Sequence, residues 1–467
     1  MRSFVTAGVA PTASSPRRLA KRLFVIGALL GCVAPGPVAR GEAGTRETPA
    51  DLVAGDAFHA ADPQLGELIA ALLASNPEAG SARAARQSGD ARVPQQKSLP
   101  DPSVTYRYFA ESPETRVGPQ QQSLEISQRV PWFGKRASQA RRARHEAAGL
   151  AWGARDLERE LVAALKRSYF EAAYLQKALA VNSEESELLR RFERIALTRY
   201  STGQGIQQSV IKVQTDISRL ADRATALRQR LDIVTRGIAR LIGEPDADLH
   251  LRPIPLVLAD LEYDATALER ESRRDHPGVQ AINERIRADE AWLRRRELDS
   301  RPDFRFGLSY VDVGDREDTA GVLNPPEDNG QDTWAFMVGI NVPLFGKRTR
   351  AGVEEARQSV LAKERALEST RDRLQYAVQE SVLRLESIDE RARLYRDVIV
   401  PQAEEALASA EAAYTTNRQS LLDLLDAERV LFQARLTYTR LLADQWIALA
   451  DLEYGLGRSF PATWSER

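Results

Sequence analysis

Cysteine occurs once in this chain, histidine four times and methionine twice. One cysteine excludes an intrachain disulfide framework and any multi-cysteine metal site. His59, His145, His250 and His276 stand far apart with no carboxylate at ligand spacing, so neither a zinc centre nor a nucleophile–histidine pair is legible. No catalytic constellation emerges, and no cofactor or resident metal is implied. An excess of charge is missing too. The 65 Lys and Arg meet 66 Asp and Glu, which leaves no net field to attract nucleic acid. After residue 35 no apolar run approaches the ~18 residues of a membrane-spanning helix. Any passage through a bilayer must therefore use strands.

The 23 prolines leave two long gaps, from Ala137 to about Tyr200 and from Thr349 to Pro401 and on to Tyr414. At ~1.5 Å per residue the first gap reaches roughly 95 Å when helical. Leu161, Leu165, Ala172, Leu175 and Leu179, and again Leu424, Ala427, Leu431, Ala434, Tyr438 and Leu441, step by threes, fours and sevens. That spacing predicts coiled-coil seams. Return helices are expected over about Ile206 to Ile242 and Ser420 to Leu452, with Gly203 and Asn417 at the turns because both tolerate the left-handed conformation that closes a helix.

The N-terminus reads as an export signal over residues 1–32. Arg17, Arg18, Lys21 and Arg22 form a basic region and Leu23 to Leu30 an apolar core too short to span a bilayer. Leu29-Leu30-Gly31-Cys32 resembles the lipobox of bacterial lipoproteins, which implies a lipidated Cys32 after cleavage. The alternative is an ordinary signal peptide cut further on, for instance after Ala39. Residues 33–63 follow as an irregular leader.

The rest of the chain repeats itself. Arg129-Val130-Pro131-Trp132-Phe133-Gly134-Lys135-Arg136 returns as Asn341-Val342-Pro343-Leu344-Phe345-Gly346-Lys347-Arg348. Asn76-Pro77 matches His276-Pro277, Pro100-Asp101 matches Pro302-Asp303, and Tyr200-Ser201-Thr202-Gly203 matches Tyr414-Thr415-Thr416-Asn417. The spacing between copies is 200, 202, 212 and 214 residues in chain order, so the drift falls between the two strands, where the second copy carries a longer loop. The expected organisation is a first repeat over 64–244, a proline-rich connector over 245–263, a second repeat over 264–457 and a tail over 458–467. Each repeat opens with a broken helix, from about Leu65 to Gln87 and from about Ala265 to Leu298, the breaks falling at Asn76-Pro77 and His276-Pro277.

Four strands are legible from period-2 alternation. Phe304, Phe306, Leu308 and Tyr310 alternate with Arg305, Gly307 and Ser309, and Trp334, Phe336, Val338, Ile340 and Val342 with Ala335, Met337, Gly339 and Asn341. Val104, Tyr106 and Tyr108, and Leu124 and Ile126, repeat the pattern in the first copy. The pattern suits a half-buried sheet in a soluble protein and equally a transmembrane barrel with lipid outside and water inside. The export signal favours the barrel. Four strands cannot close one, because small barrels start at about eight, so several chains must share it. Loops 111–120 and 312–331 then face the exterior. Trp132, Tyr106, Tyr108, Tyr310 and Trp334 gather at strand ends, as an interfacial girdle does. Pro131 and Pro343 end the hairpins and lead into helices. With Gly134 and Gly346 they mark a swivel between strand and helix, not a phosphate loop, since the glycine spacing and following Ser/Thr of that loop are absent.

An exported chain with two copies of hairpin, Pro-Trp/Leu-Phe-Gly-Lys-Arg, very long helix and tyrosine-bearing tip resembles the TolC-type outer-membrane efflux duct family, over about residues 64–457. The most specific element is the run from Tyr414 to Ala427, with Asp423 and Asp426 three apart. The resemblance implies a mainly α fold with a four-strand β contribution, and a homotrimer whose twelve strands form a transmembrane barrel continuing into a periplasmic α-helical coiled-coil tunnel. It further implies an outer-membrane location and two partners: a periplasmic adaptor docking at the tips around Thr202, Gly203, Gln204, Thr416, Asn417 and Arg418, and an inner-membrane pump of the RND type. It implies a gate at Asp423, Asp426 and Tyr414; Lys212 and Gln419 are further gate candidates that depart from the family pattern, Gln419 standing where relatives can have a basic gate residue. Ser209 and Lys212 stand where the second copy has Asp423 and Asp426, so a lock by ion pairing of Lys212 with Asp423 or Asp426 across neighbouring coiled coils is expected. Two stacked carboxylate rings would favour cations. Read without the resemblance, Asp423 is a helix-start carboxylate that complements the macrodipole.

The expected function is a passive exit duct of a tripartite efflux system in a Gram-negative envelope, with no enzymatic step. The Phe-Gly-Lys-Arg swivel and the lipobox are similar to heavy-metal resistance ducts of the CusC and CzcC type, which puts metal cations ahead of drugs. Alternatives are an exit duct for type I protein secretion and a surface-anchored structural coiled-coil lipoprotein.

Overall fold

The computed structural model describes residues 62–416 and 418–460; Cys32 and Asn417 lie outside them. Helix α1 (Pro63–Ser75) starts where Asp62 accepts a hydrogen bond from the Gln64 N–H at 3.0 Å, with Pro63 in the first position, where its missing N–H costs nothing. It stops because Asn76 turns extended and caps α2 (Pro77–Lys97), its side-chain oxygen accepting from the N–H groups of Glu78 and Ala79 at 2.8 and 3.1 Å. Strands β1 (Ser103–Tyr108), β2 (Glu114–Thr115) and β3 (Gly118–Val130) follow, then α3 (Lys135–Ser201) and α4 (Gln207–Leu241). The second half opens with α5 (Ala265–Asp275) and α6 (Pro277–Glu297), leading through a short 3-10 turn to β4 (Phe304–Val313). After it come a five-residue helix α7 (Thr319–Leu323), strand β5 (Thr333–Ile340), α8 (Gly346–Leu394), α9 (Val400–Thr415) and α10 (Leu421–Leu456).

The proline gaps became helices. α3 has 67 residues, about 100 Å at 1.5 Å each. Between α8 and α9, Tyr395–Ile399 form one π turn, in which the Val400 N–H donates to the Tyr395 carbonyl. Pro401 explains it: a proline inside a helix clashes with the carbonyl four residues back and lacks a donor, and a wider turn accommodates both faults without ending the helix. Among the described residues no helix is long and apolar enough to cross a membrane.

Among the described residues two large apolar cores, and a small third cluster of Val279, Leu367 and Leu374 between α6 and α8, hold the helices together. One gathers α1, the middle of α3, the end of α4, α8 and the last turns of α10 around Trp446, Tyr169, Phe170 and Leu449. Phe170 stacks on Trp446 with ring centres 5.5 Å apart, and Lys166 meets Glu453 at 2.6 Å inside this core. The proline-rich connector packs on it, the Trp446 indole donating to the Val257 carbonyl at 2.9 Å. The other core runs along the coil formed by the distal parts of α3, α4, α9 and α10, through Leu175, Phe192, Val213, Leu407 and Leu424.

The sheet is antiparallel in the order β1-β3-β4-β5, with β2 hydrogen-bonded to β3. Its register places Val104, Ile126, Leu308 and Phe336 in one row across the four strands, and Tyr106, Leu124, Tyr310 and Trp334 in the next row of the same face. Alternate rows read Ser103, Ser127, Gly307 and Met337, and Thr105, Glu125, Ser309 and Ala335. One face is thus apolar row after row and the other small or polar.

Candidate functional site: an apolar sheet and two helical tips

Among the described residues the apolar face packs on no other element. Tyr106, Phe306, Leu308, Trp334, Phe336, Val338 and Ile340 are all exposed, Phe336 at 72%. The sheet of a soluble monomer turns such rows into its core; here they stay bare within the single chain. Aromatic side chains concentrate at the two ends of the band. Tyr310 and Trp334 lie 4.9 Å apart toward the loops, and Trp132 stacks on Phe304 at 5.6 Å toward the helices. Six residues of β4 separate these levels, about 20 Å at 3.4 Å per residue. Beyond the first level the two loops are tied together: Arg116 pairs with Asp328 at 2.5 Å, and the Gly330 N–H donates to the Val117 carbonyl at 2.8 Å.

At the other end the swivel has a built junction. Lys135 and Asp303 are both buried. The Lys135 ammonium donates to Asp303 Oδ1 at 2.7 Å and to the Arg301 carbonyl at 2.8 Å, the Trp132 N–H reaches the same carboxylate at 3.0 Å, and Arg129 holds the other oxygen at 2.7 Å. Gly134 sits at φ +88°, the left-handed region, to turn the chain from Pro131 into α3. Gly346 is different from its counterpart. It is the first residue of α8, lacks positive φ, and has open space where a Cβ would go. Pro343, Gly346 and Lys347 are all exposed.

The first tip closes by a left-handed Gly203 at φ +75°, with the Gln204 N–H donating to the Arg199 carbonyl at 2.9 Å. Thr202, Gly203 and Gln204 are exposed there, as are Thr416, Arg418 and Gln419 at the second tip. The Thr416 hydroxyl donates to the Ala412 carbonyl at 3.0 Å and the Arg418 N–H to Ala413 at 2.8 Å. The two tip tyrosines, matched in sequence, diverge in space: Tyr200 is 48% exposed and Tyr414 only 4%. Tyr414 belongs to the apolar core of the coil, and Arg199 covers it there. Its guanidinium lies 4.2 Å from the centre of the Tyr414 ring and donates to the carbonyls of Tyr414 and, at 3.2 Å, Thr415. A cation on the last carbonyls of α9 also complements that helix's dipole. Motif matching passed over Arg199 because its partner is 215 residues away.

Asp423 completes a capping box with Ser420: the Ser420 N–H and hydroxyl both donate to its carboxylate, at 3.1 and 2.8 Å, while the Asp423 N–H donates back to Ser420 Oγ at 3.3 Å. Asp426 is exposed one turn on. Lys212 meets Asp216 of its own helix at 3.3 Å, so its expected pairing with Asp423 or Asp426 is not an intrachain contact. Deeper in the coil lies an acidic pair that the sequence did not disclose. Glu185 of α3 and Glu428 of α10 are buried side by side, each with one carboxylate oxygen that no hydrogen bond reaches, and Asp216 of α4 adds negative charge. Burial first, and the Glu185 carboxylate second, push Glu428 up from its ordinary range. Among the described residues, no three His, Cys, Asp or Glu side chains are grouped to hold a metal ion.

The family model described as outer membrane efflux protein matches residues 271–458. The cobalt-zinc-cadmium resistance protein CzcC of Cupriavidus metallidurans is 23% identical over 456 residues, which span 94% of this chain and all of that one. The crystal structure of the outer membrane protein VceC of Vibrio cholerae superposes with a TM-score of 0.72 at 18% identity, over 88% of this chain and 99% of that one. CusC superposes with a TM-score of 0.69 at 16% identity, over 85% and 93%. Residues 271–458 thus match the model of the outer membrane efflux protein family, and the fold of VceC and CusC extends over both halves of the chain.

Proposed function

We propose that this chain is a tandem duplication of which three copies close a twelve-stranded barrel in the outer membrane, continued by a helical tunnel through the periplasm. The duct is a passive exit for a tripartite efflux system and catalyses nothing itself; an inner-membrane pump, of the RND type, supplies the energy. One observation carries the reading: among the described residues the sheet ends in two unpaired edges and turns an apolar face, about 20 Å deep, away from every other element. Lipid is the environment in which that face costs nothing, and other copies supply the missing strands. The duplication draws support from two equivalent hinges. Asn76 caps α2 and donates to the Leu241 carbonyl at 2.9 Å; His276 caps α6 and its Nε2 donates to the Tyr454 carbonyl at 2.9 Å. Each thereby ties the broken helix of one half to the end of that half's return helix.

Divalent metal cations are the favoured cargo. The similarity to CzcC, whose name carries cobalt, zinc and cadmium resistance, supports this choice. So do the Asp423 and Asp426 carboxylates, which threefold symmetry would set as stacked rings near the tunnel mouth. The adaptor docks at the tips near residues 200–208 and 414–421. Lipidation of Cys32 anchors the N-terminus in the same membrane. Purified protein reconstituted in a planar bilayer should conduct ions and migrate as a heat-modifiable trimer on gels. A monomer in plain buffer that conducts nothing sinks the duct and leaves a lipid-anchored structural coil. A deletion strain hypersensitive to drugs but not to zinc or cadmium would reverse the cargo.

A further inference from the structure

Two identical Phe-Gly-Lys motifs end in opposite circumstances. Lys135 is buried against Asp303, whereas Lys347 is exposed, and so is Asp101, the counterpart of Asp303. Lys347 follows β5 and Asp101 precedes β1, the two outer strands of the sheet, so within one chain they belong to opposite edges. Three strand spacings, about 14 Å, lie between those edges. We infer that β5 of one copy pairs antiparallel with β1 of a second copy in a single register, Ile340 opposite the partner's Val104, and that an ion pair from Lys347 to the partner's Asp101 locks it.

The register follows from the chain's own β3–β4 seam. There Val130 lies opposite Phe304, Gln128 opposite Phe306 and Ile126 opposite Leu308, directly beside the Lys135–Asp303 bridge. Moving the first partner by the 212-residue offset of the Phe-Gly-Lys motifs, and the second by the 202-residue offset of the Pro-Asp motifs, converts this seam into the missing one. Ile340 then faces the partner's Val104, Val338 the partner's Tyr106 and Phe336 the partner's Tyr108. All six of these residues belong to the exposed apolar set. A slip of one residue would instead set Gly339 and Met337 against that face. Charge agrees as well, since the same slide brings a lone lysine to a lone aspartate. Leu344 offers the backbone N–H that Trp132 offers at the inner junction, and the difference is Asn341 in place of Arg129. The new junction therefore carries one cation where the intrachain one carries two. A β5-to-β1 contact is head-to-tail, so it repeats until a ring closes; that it closes at three rests on the trimeric duct proposed above.

Paired cysteines test the register and exchanged charges test the lock, with the parent and each single-cysteine variant as controls. The full chain carrying Ile340→Cys with Val104→Cys, oxidised in outer-membrane preparations, should run as a covalent trimer on non-reducing denaturing gels. The pair Ile340→Cys with Tyr108→Cys, four residues out of register, should stay monomeric. Lys347→Asp or Asp101→Lys alone should lower the temperature at which the unoxidised trimer dissociates, and the double exchange should recover most of the loss. A heat-modifiable parent trimer whose in-register pair does not crosslink, or whose out-of-register pair does, overturns the register while leaving the duct intact. Additive single charge reversals with no recovery overturn the lock. A parent that never forms a trimer removes both the inference and the reading beneath it.

Discussion

Replacing Arg199 with alanine should loosen the tips of the coil, and the structure bounds by how much. The guanidinium makes hydrogen bonds to two carbonyls and covers the Tyr414 ring at 4.2 Å. A charged hydrogen bond contributes about 1.5–3 kcal/mol, and a cation over an aromatic face about 0.5–1 kcal/mol at an exposed site. Both carbonyls are reached by one guanidinium nitrogen and count as a single bond; Arg199 is partly exposed, so solvent screens its charge and the lower ends apply, giving about 2 kcal/mol per chain. Since 1.4 kcal/mol is tenfold, the balance between a tied and a released tip should move about thirtyfold in each chain. Single-channel recording in planar bilayers should find a higher resting conductance for Arg199→Ala, with the helical signal in circular dichroism unchanged. Tyr414→Phe keeps the ring and should behave as the parent, while Tyr414→Ala should resemble Arg199→Ala and add little to it in the double variant. Equal conductance in Arg199→Ala and the parent, or full additivity of the two alanine changes, would refute the tie.

Three further outcomes are expected. Glu428→Gln mimics the neutral acid: burial raises Glu428 above its ordinary 4.5, so its contribution is complete below about 4.5 and fades as pH rises toward the raised value. The parent should therefore lose more thermal stability than the variant between pH 5 and pH 8, whereas His276, pushed down to about 4 mainly by burial, loses stability in acid equally in both; parallel pH profiles would disprove the account. Gly134→Ala must hold alanine at φ +88° and should cost about 1–2 kcal/mol, while Gly346→Ala at the right-handed start of α8 should be neutral or slightly stabilising. Chemical denaturation of the two variants decides this, and equal losses would contradict it. Lys212→Glu should raise conductance if Lys212 meets Asp423 or Asp426 of a neighbouring chain; an unchanged trace would leave the Lys212–Asp216 pair of one helix as its whole role.

The sequence disclosed what has a period. Alternation of aromatic and small residues marks the strands, since side chains point to opposite faces every second position, and the absence of proline marks the long helices. Boundaries fared less well where packing overruled local preference. α2 continues ten residues beyond Gln87, through Pro94, to Lys97, because Gly89 lets it close on α3 at Ala147 and Leu150. β3 starts at Gly118, although Pro119-Gln120-Gln121-Gln122 has no alternation to announce it; β4 supplies the partner across the sheet. At the site, sequence could place the tips and the swivel but could not distinguish two tyrosines or two lysines in matching motifs. Their difference shows in the partners they meet, Arg199 and Asp303, each distant in the chain and near only once it is folded.

The π turn at Tyr395–Ile399 has a mechanical consequence for the column it interrupts. From Leu367 onward the buried apolar positions of α8, Leu367, Leu374, Val378, Val382, Leu385 and Ala392, keep the threes, fours and sevens of a left-handed supercoil, and Ala403, Leu407, Ala410 and Tyr414 keep them in α9. From Ala392 to Ala403 the step is eleven, a seven plus an inserted four, which locally unwinds such a coil. Supercoil winding imposed on the body therefore dissipates at residues 395–399 before it reaches the tips, and α9 can change its pitch while α8 keeps its own.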